Sequence, residues 1–284
     1  MIACLRFEVY KFLRRPSTWI LALILVVAVA FLDYYQLYNA YETTVNGGKS
    51  FVGNLSGRGL RDFRDYMLPK EATLNVPSFL AALAAPFVLI LGALSVGSEY
   101  GWDTVKTSLT QGVGRAGLLA GRVLAVAVVT LAFVVVSFAA GLVSSYVVAG
   151  ALGVRAVAWP EASMLLKSMG VTWLIFGAWA SLGMFLAFLF RGTALSIGLG
   201  LIYGIVFQTL ISSLSANSEL FQRILDALLS KNSSDLVSSL GSAPKAFSGG
   251  QSTGDPTQAA LILSAYVVAC LLLSALLFGR RDVN

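Results

Sequence analysis

Residues 123–154, VLAVAVVTLAFVVVSFAAGLVSSYVVAGALGV, contain no aspartate, glutamate, lysine or arginine. A helix needs about 20 mainly apolar residues to cross the hydrocarbon core of a bilayer, and this stretch exceeds that length. Lipid offers backbone N–H and C=O groups no hydrogen-bond partners, so an apolar run of this length is expected to be helical. The stretch therefore predicts a membrane-spanning helix.

Windows of about fifteen or more residues without a charged side chain recur along the chain. They are 16–32, 72–98, 123–154, 168–190, 192–218 and 256–279. Only 12% of all residues are charged, against about 25% in a typical soluble domain. We predict an all-α polytopic membrane protein with six transmembrane helices. The predicted spans are about 17–37, 78–98, 122–149, 164–190, 193–214 and 258–279.

Basic side chains near the predicted helix ends favour an N-terminus and a C-terminus that both lie on the cytoplasmic side. In that orientation the inner pieces carry the whole net charge of +6, and the outer pieces are balanced. The inner pieces are 1–16, 99–122, 191–192 and 279–284. The net positive charge of the chain thus indicates its orientation in the membrane and not nucleic-acid binding. A cleavable signal peptide is the alternative for the N-terminus, since Ala28-Val29-Ala30 resembles a cleavage site and its loss leaves five spans.

The first sixteen residues have helical periodicity. The apolar side chains on one face are Ile2, Leu5, Val9, Phe12 and Leu13. Lys11, Arg14 and Arg15 lie opposite. A basic amphipathic helix of this kind lies in the plane of the membrane surface. A charged anchor without helical order is the alternative interpretation.

Several classes of active site are excluded by composition. The chain has no histidine and two distant cysteines, Cys4 and Cys270, which excludes a Ser-His-Asp triad, a histidine-ligated metal and a CxxC site. Residues 43–50, TTVNGGKS, end like a phosphate-binding loop but have Thr43 in place of the first glycine and no preceding strand pattern. We expect no catalytic residue, no metal site and no cofactor bound by this chain.

The longest predicted cytoplasmic connection is SEYGWDTVKTSLTQGVGRAGLLAGRVLAV, residues 98–126, and its periodicity predicts a short amphipathic helix that ends near Gly112. Residues 99–122 contain, in order, the groups acid-aromatic-Gly, Thr, Leu-Thr, Gly, Arg and Leu-Leu-x-Gly-basic. This order resembles the region after the second helix of ABC-2 type permeases, which are the membrane subunits of ABC transporters. The matching residues are Glu99, Tyr100, Gly101, Thr104, Leu109, Thr110, Gly112, Arg115, Leu118, Leu119, Gly121 and Arg122.

The resemblance covers almost the whole chain and implies an exporter permease in the inner (cytoplasmic) membrane. It implies a separate ABC ATPase subunit, which binds ATP and Mg²⁺, and a second permease subunit that is identical or related. It further implies that residues 99–121 form a coupling segment on which the ATPase docks. The residues expected to serve that contact are Glu99, Tyr100, Trp102, Thr104, Leu109, Gly112 and Arg115.

The predicted fifth helix carries two further sets of candidate residues. Ser196, Gly200 and Gly204 form a ladder of small residues that permits close helix approach, either within the chain or between subunits. In the resembled family the first and fifth helices meet across the dimer, which favours a dimer seam. Polar residues inside a span are costly, so Gln208, Thr209 and Ser212 are the candidate pathway residues.

The predicted outer insert, 215–257, contains an apolar stripe between Leu220 and Leu229 and a weaker helical piece from Asp235 to Leu240. It forms either a lid on the outer mouth or a helix that dips into the outer leaflet. Asp33 and Lys167 lie near outer span ends and are expected to snorkel. A secondary carrier and a non-transporting membrane scaffold or assembly factor are the alternative functions.

Overall fold

A computed structural model describes residues 2–51, 55, 57–101, 115–154, 156–215, 219–242 and 254–280. All regular secondary structure in these ranges is helical. The helices are α1 (Ile2–Arg14), α2 (Pro16–Val45), α3 (Arg58–Tyr66), α4 (Pro69–Leu83), α5 (Ala85–Gly101), α6 (Arg115–Ala151), α7 (Ala162–Phe190), α8 (Thr193–Leu214), α9 (Glu219–Ala227), α10 (Leu229–Val237) and α11 (Pro256–Arg280).

Five helices of the described residues, α2, α6, α7, α8 and α11, are long and apolar enough to cross a membrane, and their outward faces expose large apolar side chains. Helices α4 and α5 meet at an angle of 62° and supply a sixth crossing if the pair forms one span. A π-helical turn at Leu80–Ala84 and the neighbouring Pro77 and Pro86 account for the bend. The chain is thus a multi-pass helical membrane protein.

Helix α7 lies at the centre of the bundle and packs against α5 and α11. Its crossing with α5 depends on two glycines, because a Cβ atom at Gly183 would overlap the Leu89 carbonyl and one at Gly92 would overlap the Ala180 carbonyl. Small residues allow two helix backbones to approach this closely. The fully buried Trp179 lies beside this crossing.

Helix α1 is held against the rest of the chain by its polar side chains. Glu8 is buried, with its carboxylate 3.1 Å from Lys11 Nζ and 3.9 Å from the guanidinium of the buried Arg122 at the start of α6. Arg15 donates a hydrogen bond of 3.0 Å to the carbonyl of Leu94 in α5. Helix α1 and Arg15, the residue that follows it, therefore contact the two helices that border residues 102–114: α1 contacts α6, and Arg15 contacts α5.

The predicted apolar stripe of the insert is divided between two helices. Helix α9 carries its first part and buries none of its side chains, and Leu220 is 64% exposed. Helix α10 begins at Leu229, the last residue of the stripe, and extends into the weaker helical piece predicted from Asp235 to Leu240. It buries Leu229, Leu236 and Val237 against α11, α7 and α4.

Candidate transport pathway

A cavity with a volume of about 630 Å³ lies where α8 leads into the insert. We call it the insert cavity. It is lined by Ala82, Leu83, Pro86, Phe87, Gly204, Ile205, Gln208, Thr209, Ser212, Leu225, Ser230, Lys231, Ser234 and Asp235. Ligand sites commonly have volumes of about 300–1,000 Å³, so the cavity is large enough for a small molecule or a lipid head.

All three residues predicted for the pathway line this cavity. The hydroxyls of Thr209 and Ser212 donate to carbonyls of their own helix, Ile205 O and Thr209 O. Gln208 is buried and instead accepts a 2.9 Å hydrogen bond from the backbone N–H of Ser230 in α10. Gln208 thus joins the fifth apolar segment to the insert, a contact that the spacing of polar residues did not predict.

Two π-helical turns contribute residues to the lining of the cavity. One is Leu80–Ala84 at the bend between α4 and α5, and the other is Ile202–Phe207 within α8. A π-helical turn leaves part of the regular α-helical ladder rearranged and occurs often at functional sites.

A cluster of charged residues forms the α10 side of the cavity. The ammonium of Lys231 lies 2.9 Å from Asp235 Oδ2 and 3.2 Å from Asp226 Oδ1. Burial lowers the pKa of Lys231, but the hydrogen bonds and charges of Asp235 and Asp226 outweigh that effect and raise it above its ordinary value. Lys231 is consequently charged at neutral pH.

The small-residue ladder of the fifth helix packs within the chain. A Cβ atom at Gly200 would overlap the Leu89 side chain, and one at Gly204 would lie 2.9 Å from the Trp179 ring. Ser196 is fully buried and donates to Gly192 O at 2.6 Å. The close approach observed is the intrachain alternative. The dimer seam at Ser196, Gly200 and Gly204 stays a prediction.

Most of the predicted ATPase-coupling residues, Trp102, Thr104, Leu109 and Gly112, lie outside the described residues. The others lie in the bordering helices, Glu99 and Tyr100 in the last turn of α5 and Arg115 at the start of α6. The structure therefore gives the bounds of the connection, from Gly101 to Arg115.

Sequence reasoning missed a buried polar cluster in α2. Asp33 is 5% exposed and does not snorkel as expected, because α2 continues to Val45 and keeps this side chain inside the bundle. Tyr34 and Asn75 are buried with it, and Asp33 Oδ2, Tyr34 OH and Asn75 Nδ2 lack hydrogen-bond partners among the described residues. The sequence feature that could have predicted this burial is that Asp33 is followed by residues that continue the helix to Val45.

The buried Glu8 was also missed. It stands three residues after Leu5 and four before Phe12, so it lies on the apolar stripe of α1. An acid on the apolar face of an otherwise basic helix requires a buried partner, and Arg122 is a buried partner that the structure supplies.

The comparisons with known proteins agree with this architecture. A family model described as "ABC-2 family transporter protein" matches residues 2–283. A search of curated proteins finds no match. The family match extends over both the bundle and the insert.

Proposed function

The chain belongs to the ABC-2 family of transporter proteins, and we propose that it is the permease subunit of an ATP-driven ABC exporter. The observation that carries the proposal is that α1 and Arg15, the residue that follows it, together contact both borders of the coupling segment. Arg15 binds the Leu94 carbonyl of α5, and Glu8 pairs with Arg122 of α6. A partner that displaces residues 99–121 thereby moves α1, α5 and α6 together.

The proposed motion reaches the cavity through α5. Gly101, at one end of α5, borders the coupling segment, while Pro86 and Phe87, at the other end, line the insert cavity. The π-helical turn next to Pro86 supplies a hinge between α5 and α4. Rocking of α5 would open or narrow the cavity, in which Gln208, Thr209 and Ser212 are the proposed pathway residues.

We assign ATP and Mg²⁺ to the partner ATPase and no enzymatic activity to this chain. A phosphate-binding loop connects a strand to a helix that begins at its Lys-Ser pair. Residues Thr43 to Val45 instead end helix α2, and no helix begins at Lys49 or Ser50. This geometry supports hydrolysis on a separate subunit.

The proposed topology has six spans, with the bent pair α4–α5 counted as one and both termini cytoplasmic. The charge distribution supports it, since the whole net charge of +6 then lies on the inner side. We place the protein in the inner (cytoplasmic) membrane, with α1 in the membrane surface and the insert outside.

Co-purification tests the proposed function. The tagged chain, extracted from its own membrane in mild detergent, should carry with it an ABC ATPase whose hydrolysis depends on Mg²⁺. A chain that purifies without an ATPase, and transports under an ion gradient alone, is a secondary carrier. The buried Asp33 is the observation that favours that second candidate, because cation-coupled carriers use ionisable groups inside the membrane.

The proposed dimer must use the exposed ridge of α8 if the fifth apolar segment forms the seam. That ridge consists of Leu195, Leu199, Ile202 and Val206, all exposed in the single chain. In a chain whose own cysteines, Cys4 and Cys270, are replaced by serine, Ile202→Cys should form a cross-linked dimer in membranes under oxidation. The buried Ser196→Cys is the matched control and should remain monomeric. Absence of cross-linking at all four ridge positions would assign the ridge to lipid.

A further inference from the structure

The insert cavity has one apolar wall and one polar wall. Leu83, Pro86 and Phe87 of the bent pair and Ile205 of α8 supply the apolar wall. The polar wall consists of Gln208 and the α10 residues Ser230, Lys231, Ser234 and Asp235. A ligand that fits both walls is an amphiphile.

The polar wall presents a hydrogen-bond donor without a partner. The amide of Gln208 has a fixed orientation, because its Oε1 accepts the backbone N–H of Ser230 at 2.9 Å. The other polar atom of this amide, the donor Nε2, is buried and has no hydrogen-bond partner among the described residues. Buried polar groups in proteins are almost always satisfied, so a ligand or water acceptor belongs beside it.

The same wall presents an acceptor without a partner. Asp235 is 4% exposed; its Oδ2 binds the Lys231 ammonium, while its Oδ1 is buried and has no hydrogen-bond partner in the described part of the chain. A buried carboxylate oxygen favours a charged donor over a neutral one. A cation that carries N–H bonds would satisfy Asp235 Oδ1.

The charges around this wall favour such a cation. Lys231 is shared between Asp235 and Asp226. A smaller adjoining cavity of about 300 Å³ is lined by these three residues together with Asp255. The N–H and hydroxyl of Thr257 hold the pKa of Asp255 below its ordinary value, so it too is ionised. Three carboxylates face one ammonium among the residues that line the two cavities.

We propose that the insert cavity binds the head of an amphiphile in which a primary ammonium stands beside a carbonyl or phosphate oxygen. The ammonium donates to Asp235 Oδ1, the oxygen accepts from Gln208 Nε2, and the acyl chain lies along Leu83 and Phe87. An aminophospholipid of the surrounding leaflet and a soluble amine-bearing amphiphile share this chemistry. The inference rests on the proposed transport function for its assignment as a cargo site, but the binding itself does not require an ATPase.

The test uses the full chain, purified without an ATPase and reconstituted in phosphatidylglycerol nanodiscs. Two probes are titrated, phosphatidylethanolamine as the lipid and the dodecyl ester of glycine as the soluble amphiphile. Each has a control that keeps the charge and the chain but replaces the N–H bonds with methyl groups: phosphatidylcholine and the trimethylammonium ester. Binding is followed by native mass spectrometry and by the shift in thermal unfolding temperature.

We expect binding of at least one primary-amine probe about tenfold tighter than that of its methylated control. Asp235→Asn should remove this preference. Asp62→Asn is the matched control, since it makes the same change at an exposed residue of α3 that lines neither cavity, and it should change affinity less than about threefold. If Asp235→Asn does not fold, Gln208→Met should weaken the same probe and retain the preference over the methylated control.

Preference for the lipid alone identifies a lipid head as the occupant, and preference for the ester alone identifies a soluble amphiphile. Equal binding of primary-amine and methylated probes, or unchanged preference in Asp235→Asn, overturns the inference. Failure to recover an ATPase in the co-purification would remove the cargo interpretation while leaving these binding results intact.

Discussion

Replacing Trp102 and Leu109 with alanine in one variant should weaken binding of the partner ATPase about thirtyfold or more, because truncation of a buried anchor commonly costs about 2 kcal/mol or more. Both residues belong to the connection between Gly101 of α5 and Arg115 of α6. Glu8 of α1 contacts α6, and Arg15, which follows α1, contacts α5. The variant should remain in the membrane with its spans intact and should lose substrate-stimulated ATP hydrolysis. Affinity for the ATPase, measured in detergent, checks the effect.

The control for the double variant is Leu225→Ala. Leu225 lines the insert cavity from α9, far along the chain from the coupling segment, and its truncation should leave the ATPase bound whatever its effect on transport. Unchanged ATPase affinity in Trp102→Ala/Leu109→Ala would show that residues 99–121 are not the docking element. The proposed joint motion of α1, α5 and α6 would then have no docked ATPase to drive it.

Substitution of Gly183 by alanine should destabilise the bundle by about 1–3 kcal/mol or more, the usual range for overpacking a closely packed site. The added methyl group would meet the carbonyl oxygen of Leu89, which is backbone and has no alternative rotamer. Helices α5 and α7 must then separate along their whole crossing. Gly92→Ala should act in the same way, because its new methyl group meets the Ala180 carbonyl.

Gly177→Ala is the matched control for Gly183→Ala. Gly177 lies on the same helix, and a Cβ atom there would have no heavy atom within 4 Å. Alanine is favoured over glycine by about 1 kcal/mol inside a helix, so this variant should be neutral or stabilised. Thermal unfolding in detergent distinguishes the two. Equal unfolding temperatures for Gly177→Ala and Gly183→Ala would refute the close crossing.

The position of the insert relative to the bundle illustrates where sequence reasoning succeeded and where it failed. Gln208, Thr209 and Ser212 were identified as pathway candidates because uncharged polar residues are few in the predicted spans. All three line one cavity, while their role in a transport pathway stays a prediction. The contact from Gln208 to Ser230 was not predictable, since it joins residues 22 positions apart, with α9 between them in the chain.

By itself the sequence determined that this protein is a multi-pass helical membrane protein of the ABC-2 family. The physical reason is that a long charge-free segment in lipid must satisfy its backbone hydrogen bonds internally, whatever its neighbours are. Only the tertiary structure decided which faces of the helices pack against one another. Helices that are apolar all round carry no marked face, so the burial of Asp33 and the intrachain packing of Gly200 against Leu89 depend on contacts between segments distant in the chain.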